Sequence, residues 1–274
     1  MNADETDGYA LGRSEAETRR LILQHRIYGP LTRRLFEAAG IGAGMTVLDI
    51  GSGAGDVALL LADLVGPRGR VVGVDMNAAI LETARARAAA AGFANLTFVA
   101  GEAAAVAGDT RFDAIAGRYV LMYVPDPAAL LRRLTGLLRP GGIVVFQETD
   151  VNNPPATFPP TELGTVLQKV MVPPADMPGP DLRIGMKLLR LFEEAGLPTP
   201  ELRMEAPVGG GPDWPGYAYV VETLKSLAPM MRRFGFDPET LGLDTLAARL
   251  RDEVVAAGGV QMLAPVVGAW SRTA

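Results

Sequence analysis

Residues 46–75 read TVLDIGSGAGDVALLLADLVGPRGRVVGVD, and this stretch decides the fold. Residues 46–50 are a short apolar run with β-branched side chains, the pattern of a strand buried on both faces. Gly51, Ser52, Gly53, Ala54 and Gly55 then turn the chain. The three glycines let the backbone fold tightly and approach a ligand with no Cβ in the way. Residues 56–65 continue as a helix closed by Gly66 and Pro67. A second buried strand over 70–74 ends in Asp75. Strand, glycine turn, helix, strand and terminal acid make a nucleoside-binding βαβ unit, with the acid placed for ribose hydroxyls.

The positions of the glycines select the ligand. A dinucleotide fingerprint G-x-G-x-x-G needs its third glycine at position 56, where this chain has Asp56; the glycine falls at Gly55 instead. An acid, Asp49, also precedes the turn. The resulting D-x-G-x-G-x-G pattern over 49–55 resembles motif I of the class I S-adenosylmethionine-dependent methyltransferases. A sulfonium amino acid carries an ammonium and a sulfonium charge and no pyrophosphate, so an acid beside the loop suits it and does not suit a dinucleotide. The resemblance implies an α/β fold: a Rossmann-like, doubly wound, mostly parallel seven-stranded sheet with its last strand antiparallel, N-terminal helices and an inserted helical cap. It also implies S-adenosylmethionine as cofactor and S-adenosylhomocysteine as product.

Composition limits the alternatives. The chain has 274 residues, 49% of them hydrophobic, enough for one large domain or a domain with an elaborate insertion. A net charge of −5 leaves no diffuse basic surface for phosphate backbones. Cys is absent, which excludes a disulfide, a thiolate nucleophile and a cysteine metal site. The N-terminus is acidic and polar without a signal-peptide core, and the longest uncharged run, 254–271, is broken by Gly258, Gly259, Gln261 and Pro265. The expectation is a soluble, cytoplasmic monomer or homodimer acting on a small molecule, with no nucleic-acid or membrane partner.

Along the chain, Ser14 and Glu17 form a capping-box pattern that opens a helix to about residue 28; Pro30 interrupts it, and it resumes over 31–39. Leu21, His25 and Tyr28 share one helical face. His25, the only histidine, reads either as an ordinary helix residue or as a ligand contact. In related methyltransferases an N-terminal helix lies over the pocket, which makes Tyr28 a cofactor candidate. Met76 follows Asp75 where the family places an apolar residue against adenine, and Asn77 caps a helix over 78–91. A third strand over 95–100 precedes Gly101-Glu102-Ala103, where the family commonly has an acid beside the adenine amino group. A fourth strand over 112–117 leads to Arg118 and Tyr119. Asp126 and Pro127 start a helix to 138 or 139, and Pro140-Gly141-Gly142 turns into a fifth strand over 143–148.

The run FDAIAGRYVLMYVPDPAALLRRLTGLLRPGGIVVFQE, residues 112–148, resembles the ubiquinone/menaquinone-biosynthesis type of methyltransferase. The likeness covers about residues 14–150 and implies cofactor contacts from Tyr28, Asp49, Gly51, Ser52, Gly53, Gly55, Asp75, Met76, Glu102, Ala103 and Arg118. Relatives with this loop often carry histidines where Met122 and Tyr123 stand here. The proton acceptors that remain are His25, Tyr123 and Glu148, and methyl transfer itself needs few catalytic side chains beyond alignment and exclusion of water.

From Val151 on the composition changes. The proline-rich stretch 154–180 brackets a short helix and suits a cap inserted after the fifth strand. A helix over 185–195, a strand over 201–208, helices over 214–234 and 238–257 and a last strand over 261–271 follow. The expected division is an N-terminal cover over 1–40, a cofactor-binding core over 41–150 completed by 181–210 and 260–274, and a cap from 151–180 and 211–259. Phe158, Met171, Met177, Trp214, Tyr217, Met230 and Met231 are candidate pocket or cap-core residues and suggest an apolar or aromatic acceptor. Asn153-Pro154-Pro155 lacks the aromatic residue of an amino-methyltransferase motif, and Asp150, Asn152 and Asn153 offer a weak metal-ligand set; no metal is expected. The alternative function is an S-adenosylmethionine-binding protein that catalyses cyclisation or elimination, or senses its ligand.

Overall fold

Val47 and Leu48 are both fully buried yet belong to different apolar clusters, because successive strand side chains point to opposite faces. Such a strand sits in a sheet covered on both sides. The computed structural model describes residues 15–103, 110–172, 174, 178–233 and 235–273. Its main sheet contains β1 (Thr46–Ile50), β2 (Arg70–Asp75), β3 (Leu96–Ala100), β4 (Phe112–Arg118), β5 (Leu138–Thr149), β7 (Glu201–Glu205) and β10 (Val266–Arg272). They pair in the order β3-β2-β1-β4-β5-β10-β7. The neighbours from β3 to β5 are parallel, and β10 runs antiparallel to both β5 and β7. This is the expected Rossmann-like sheet with its last strand reversed.

Helices fill both faces. On one, Leu35, Phe36 and Ala39 of α1 (Glu15–Ala39) pack with α2 (Asp56–Val65) and α3 (Ala78–Ala90) against Val47, Val71 and Val145. On the other, Leu131 and Leu134 of α4 (Pro127–Thr135) and Leu188 and Phe192 of α6 (Leu188–Glu194) pack against Leu48, Val72 and Phe146. The strand order changes direction between β1 and β4, and the crevice outside their C-terminal ends is where open α/β sheets bind ligands.

The chain divides into two compact units. The larger comprises Tyr28–Thr149, Pro180–Glu205 and Val266–Ala274 and holds the whole main sheet; the smaller comprises the chain up to Ile27, Asp150–Gly179 and Ala206–Pro265. The smaller unit is not purely helical. Besides α5 (Glu162–Val170), α7 (Gly216–Arg233) and α8 (Leu243–Ala256), it contains an antiparallel sheet ordered β6-β9-β8, from β6 (Ala156–Phe158), β8 (Val208–Gly209) and β9 (Val260–Met262). Glu253 of α8 accepts the Leu163 N–H at 2.9 Å and so caps the start of α5.

Several boundaries differ from the sequence reading. Pro30 does not divide α1, which runs through it. The ring removes one backbone bond at a cost of about 3 kcal/mol, but Tyr28, Leu31, Leu35 and Phe36 are buried on both sides of it. Each such side chain contributes roughly 1.5–3 kcal/mol on burial, so packing outweighs the lost bond. The fourth helix stops at Thr135 because Leu138 already pairs with Phe112; residues 139–142 then slip out of register before Ile143 meets Ala114. The strand expected over 261–271 is two strands in two sheets, parted around Pro265, which has no N–H for a ladder. The strand expected over 201–208 divides likewise into β7 and β8. Ser14 of the expected capping box lies outside the described residues.

Candidate active site at the strand C-termini

Five strand ends, those of β1 to β5, and the loops that follow them build the site. After β1, Gly51, Gly53 and Gly55 all have positive φ, at 64°, 50° and 88°. A Cβ on Gly51 would stand 2.6 Å from Val120 Cγ2, whereas a Cβ on Gly53 would meet nothing within 4 Å. Gly53 therefore faces open space, and Gly51 lets the loop after β4 close on the glycine turn. A Cβ on Gly55 would instead press on Ala84 and Phe98 at 3.1 Å, so that glycine serves the packing of α2 on α3 and β3.

Asp75, at the end of β2, holds this loop. One carboxylate oxygen accepts the Gly53 N–H at 2.8 Å and the other the Asn77 N–H at 2.8 Å. Asn77 in turn caps α3 through the Ala79 N–H. From behind, Arg87 of α3 donates to the Ala54 carbonyl and to the Asp56 carboxylate, both at 2.6 Å. Met76 next to Asp75 is 73% exposed, an unusual position for a large apolar side chain. Glu102 is exposed and Ala103 buried beyond the end of β3.

Asp49 is buried with the Ala58 N–H facing its carboxyl, yet among the described residues neither oxygen meets a partner in full hydrogen-bond geometry; the Ser52 hydroxyl is likewise buried without one. Burial pushes the Asp49 carboxyl well above the usual carboxylate range, against the pull of Arg118 and with the further push of the Asp75 and Asp56 carboxylates. Burial thus works against the ionised form of Asp49, which qualifies the expectation of a fixed negative charge beside the loop.

After β4, the buried guanidinium of Arg118 donates to Thr32 Oγ1 at 3.1 Å and lies 5.9 Å from the Tyr119 ring centroid. The single Thr32 hydroxyl proton has two acceptors in reach, Gln147 Oε1 at 2.6 Å and the Tyr28 carbonyl at 3.0 Å. Tyr28, itself buried, meets Tyr119 edge-on with centroids 6.0 Å apart. Tyr119 has φ 57° without being glycine, and such strain in a bulky residue persists only where its surroundings enforce it. The segment Leu121–Tyr123 follows as a 3-10 turn. Glu148, at the end of β5, accepts the N–H groups of Val120 at 2.9 Å and Leu121 at 2.8 Å on one oxygen, while its other oxygen is buried without a partner among the described residues.

A family model described as a methyltransferase domain matches residues 41–194, more than half of the chain. The chain belongs to the methyltransferase-domain family. A ubiquinone/menaquinone biosynthesis C-methyltransferase of Hahella chejuensis is 35% identical over 133 residues, 47% of this chain and 52% of that protein. A demethylmenaquinone methyltransferase of Staphylococcus aureus is 32% identical over 127 residues, 46% of this chain and 51% of that one. The chain thus spans about half the length of the curated relatives it matches. Among solved structures, an S-adenosylmethionine-dependent methyltransferase from Aquifex aeolicus matches with a TM-score of 0.50 at 17% identity, over 71% of this chain and 92% of that one, a likeness of fold. The expected methyltransferase family is met by the family model, and the expected Rossmann-like fold by the structural likeness.

In this member of the family the residues expected at the site separate into groups. Tyr28, Asp49, Gly51, Ser52, Gly53, Asp75, Met76, Ala103, Arg118, Tyr123 and Glu148 belong to the larger unit and stand in or beside the loops that end its strands. His25 is half-buried and belongs to the smaller unit. Of the candidate pocket residues, Phe158 is 53% exposed. Trp214 is held by its own unit, its indole N–H donating to Gln261 Oε1 at 3.0 Å and its ring lying against Gly209 and Gly216. Met171, Met230 and Met231 are partly buried, Tyr217 is buried, and Met177 lies outside the described residues. Asn152 and Asn153 turn their amide N–H groups onto Asp150, the wrong polarity for a shared cation. Thr32, Gln147, Tyr119 and Arg87 were not anticipated: their roles depend on pairing between elements distant in the chain, and no local motif announces it.

Proposed function

We propose that this protein transfers a methyl group from S-adenosylmethionine to a small, apolar or aromatic acceptor at oxygen, nitrogen or carbon. The observation that carries the reading is the glycine turn: Gly53 faces open space while its N–H is held by Asp75. Beside it Asp49 and Ser52 are buried, with side-chain oxygens that have no partner among the described residues, an arrangement that suits a cation bound next to the turn. Asp75, tied to the loop through both oxygens and still partly exposed, offers its remaining lone pairs to ribose hydroxyls. Exposed Met76 suits an adenine face. Tyr28, Glu102, Ala103 and Arg118 complete the proposed cofactor contacts. A cation brought beside Asp49 favours its ionised form, as Arg118 already does.

When bound, the cofactor supplies an electrophilic methyl group whose leaving sulfur departs neutral. The chain's part is to hold acceptor and donor in line and to exclude water, a contribution that reaches about 7–11 kcal/mol in well-oriented systems. The smaller unit is proposed as the substrate cap, supported by its apolar content and by the connectivity: both excursions into it begin where a strand of the main sheet ends, at Thr149 and at Glu205. The relatives' names make a quinone-like ring one acceptor worth testing.

The second reading, cofactor binding without methyl transfer, is favoured by one feature: the buried acids Asp49 and Glu148 present no accessible carboxylate to a substrate proton. Incubation of the protein with S-adenosylmethionine and candidate acceptors separates the two. Transfer gives S-adenosylhomocysteine and an acceptor heavier by one methylene. Turnover of the acceptor with the cofactor intact would support the second reading.

A further inference from the structure

Among the described residues of the larger unit, Glu148 is the most enclosed ionisable group that no motif accounts for. It is 0% exposed, so protein atoms cover both of its oxygens. A general base must come within hydrogen-bond reach of the proton it removes, and a carboxyl sealed in this way does not. What Glu148 does touch is backbone. Oε1 accepts the Val120 and Leu121 N–H groups at 2.9 and 2.8 Å, and the Met122 N–H also faces the carboxyl. These three residues are the segment that carries the Val120 isopropyl group onto Gly51, where an added Cβ would collide at 2.6 Å. The same segment follows the strained Tyr119 and is tied at its far side by the Asp181 N–H to the Met122 carbonyl at 2.8 Å.

We propose that Glu148 is a positioning residue for cofactor binding: it fixes the backbone of residues 120–122 so that Val120 closes the β4 loop onto the glycine turn. The inference deepens the cofactor reading given above and rests on it. A neutral acceptor fulfils this role as well as a carboxylate does. Burial raises the Glu148 carboxyl to about 8, outweighing the opposing pull of the backbone N–H groups, with the Asp181 carboxylate, itself paired to Lys187, pushing in the same direction as burial. The side chain therefore keeps its proton through neutral pH.

The test is calorimetric binding of S-adenosylhomocysteine, which requires no acceptor, to the full-length wild type, Glu148→Gln and Glu148→Ala, with thermal unfolding as a check on folding. Expected are affinity within threefold of wild type for Glu148→Gln, which keeps the acceptor oxygen, and a loss of tenfold or more for Glu148→Ala. Should Glu148→Ala not fold, Val120→Ala removes the contact over Gly51 while leaving Glu148 in place, and a loss of at least threefold is expected. Wild-type affinity in Glu148→Ala or, if that variant does not fold, in Val120→Ala, would overturn the proposal, as would a Glu148→Gln variant as weak as Glu148→Ala. A wild-type protein that binds no S-adenosylhomocysteine would instead overturn the cofactor reading, a result distinguishable from the others.

Discussion

The loops after β1 and after β4 are held by the same device in two different settings. In each, an acid at the end of the adjacent strand accepts backbone N–H groups: Asp75 of β2 takes Gly53, and Glu148 of β5 takes Val120 and Leu121. The first loop is opened by glycines, and its acid stays partly exposed; the second turns through a tyrosine at φ 57°, and its acid is sealed. Exposure decides what else each acid does. Under the proposed reading Asp75 keeps surface lone pairs for a ligand, whereas Glu148 has its open oxygen inside the protein and acts on the loop alone.

The strongest way to break this comparison is to fill the open loop. Gly53→Val places a β-branched side chain at φ 50° and in the space a ligand needs, so S-adenosylhomocysteine binding should fall by more than 100-fold with the fold retained by circular dichroism. Normal binding would show that the turn does not receive the ligand. Asp75→Ala comes next. Loss of a charge-assisted contact of about 1.5–3 kcal/mol corresponds to roughly ten- to 150-fold in affinity, and isothermal titration showing no change would remove Asp75 from the site. Arg87→Met frees the Ala54 carbonyl and leaves Asp56 unpaired, so a three- to tenfold loss is expected, partly restored in Arg87→Lys. An unchanged affinity would mean that the loop needs no support from α3.

The smallest effect in affinity is the most telling about Glu148. Its carboxyl is raised from 4.5 to about 8 on folding. Between these values the folded protein keeps a proton that the unfolded chain has released, so Glu148 lowers stability progressively as pH rises through that window. Wild type should therefore lose stability relative to Glu148→Gln between pH 5 and pH 8 in denaturant unfolding. Parallel curves for the two proteins would show that the group is ionised throughout.

Sequence and structure agree where chemistry is local. The run from Thr46 to Asp75 states its strand, turn, helix and strand outright, and the caps at Asn77 and Asp126 occur where their side chains imply. Agreement ends where partners come from far along the chain. Val260–Met262 and Val266–Arg272 have similar apolar patterns, and only their pairing separates them into two sheets. Pro30 reads as a helix breaker, yet the burial of its neighbours carries α1 through. Glu148 is conspicuous in sequence as an acid at a strand end, but its burial and its hold on Val120 belong to tertiary structure.

The most direct measurement compares ligands on the purified wild-type protein. Calorimetric titration with S-adenosylmethionine and, separately, with NAD should give saturable binding of the sulfonium compound and none of the dinucleotide. Uptake of NAD by a protein indifferent to S-adenosylmethionine would contradict the account.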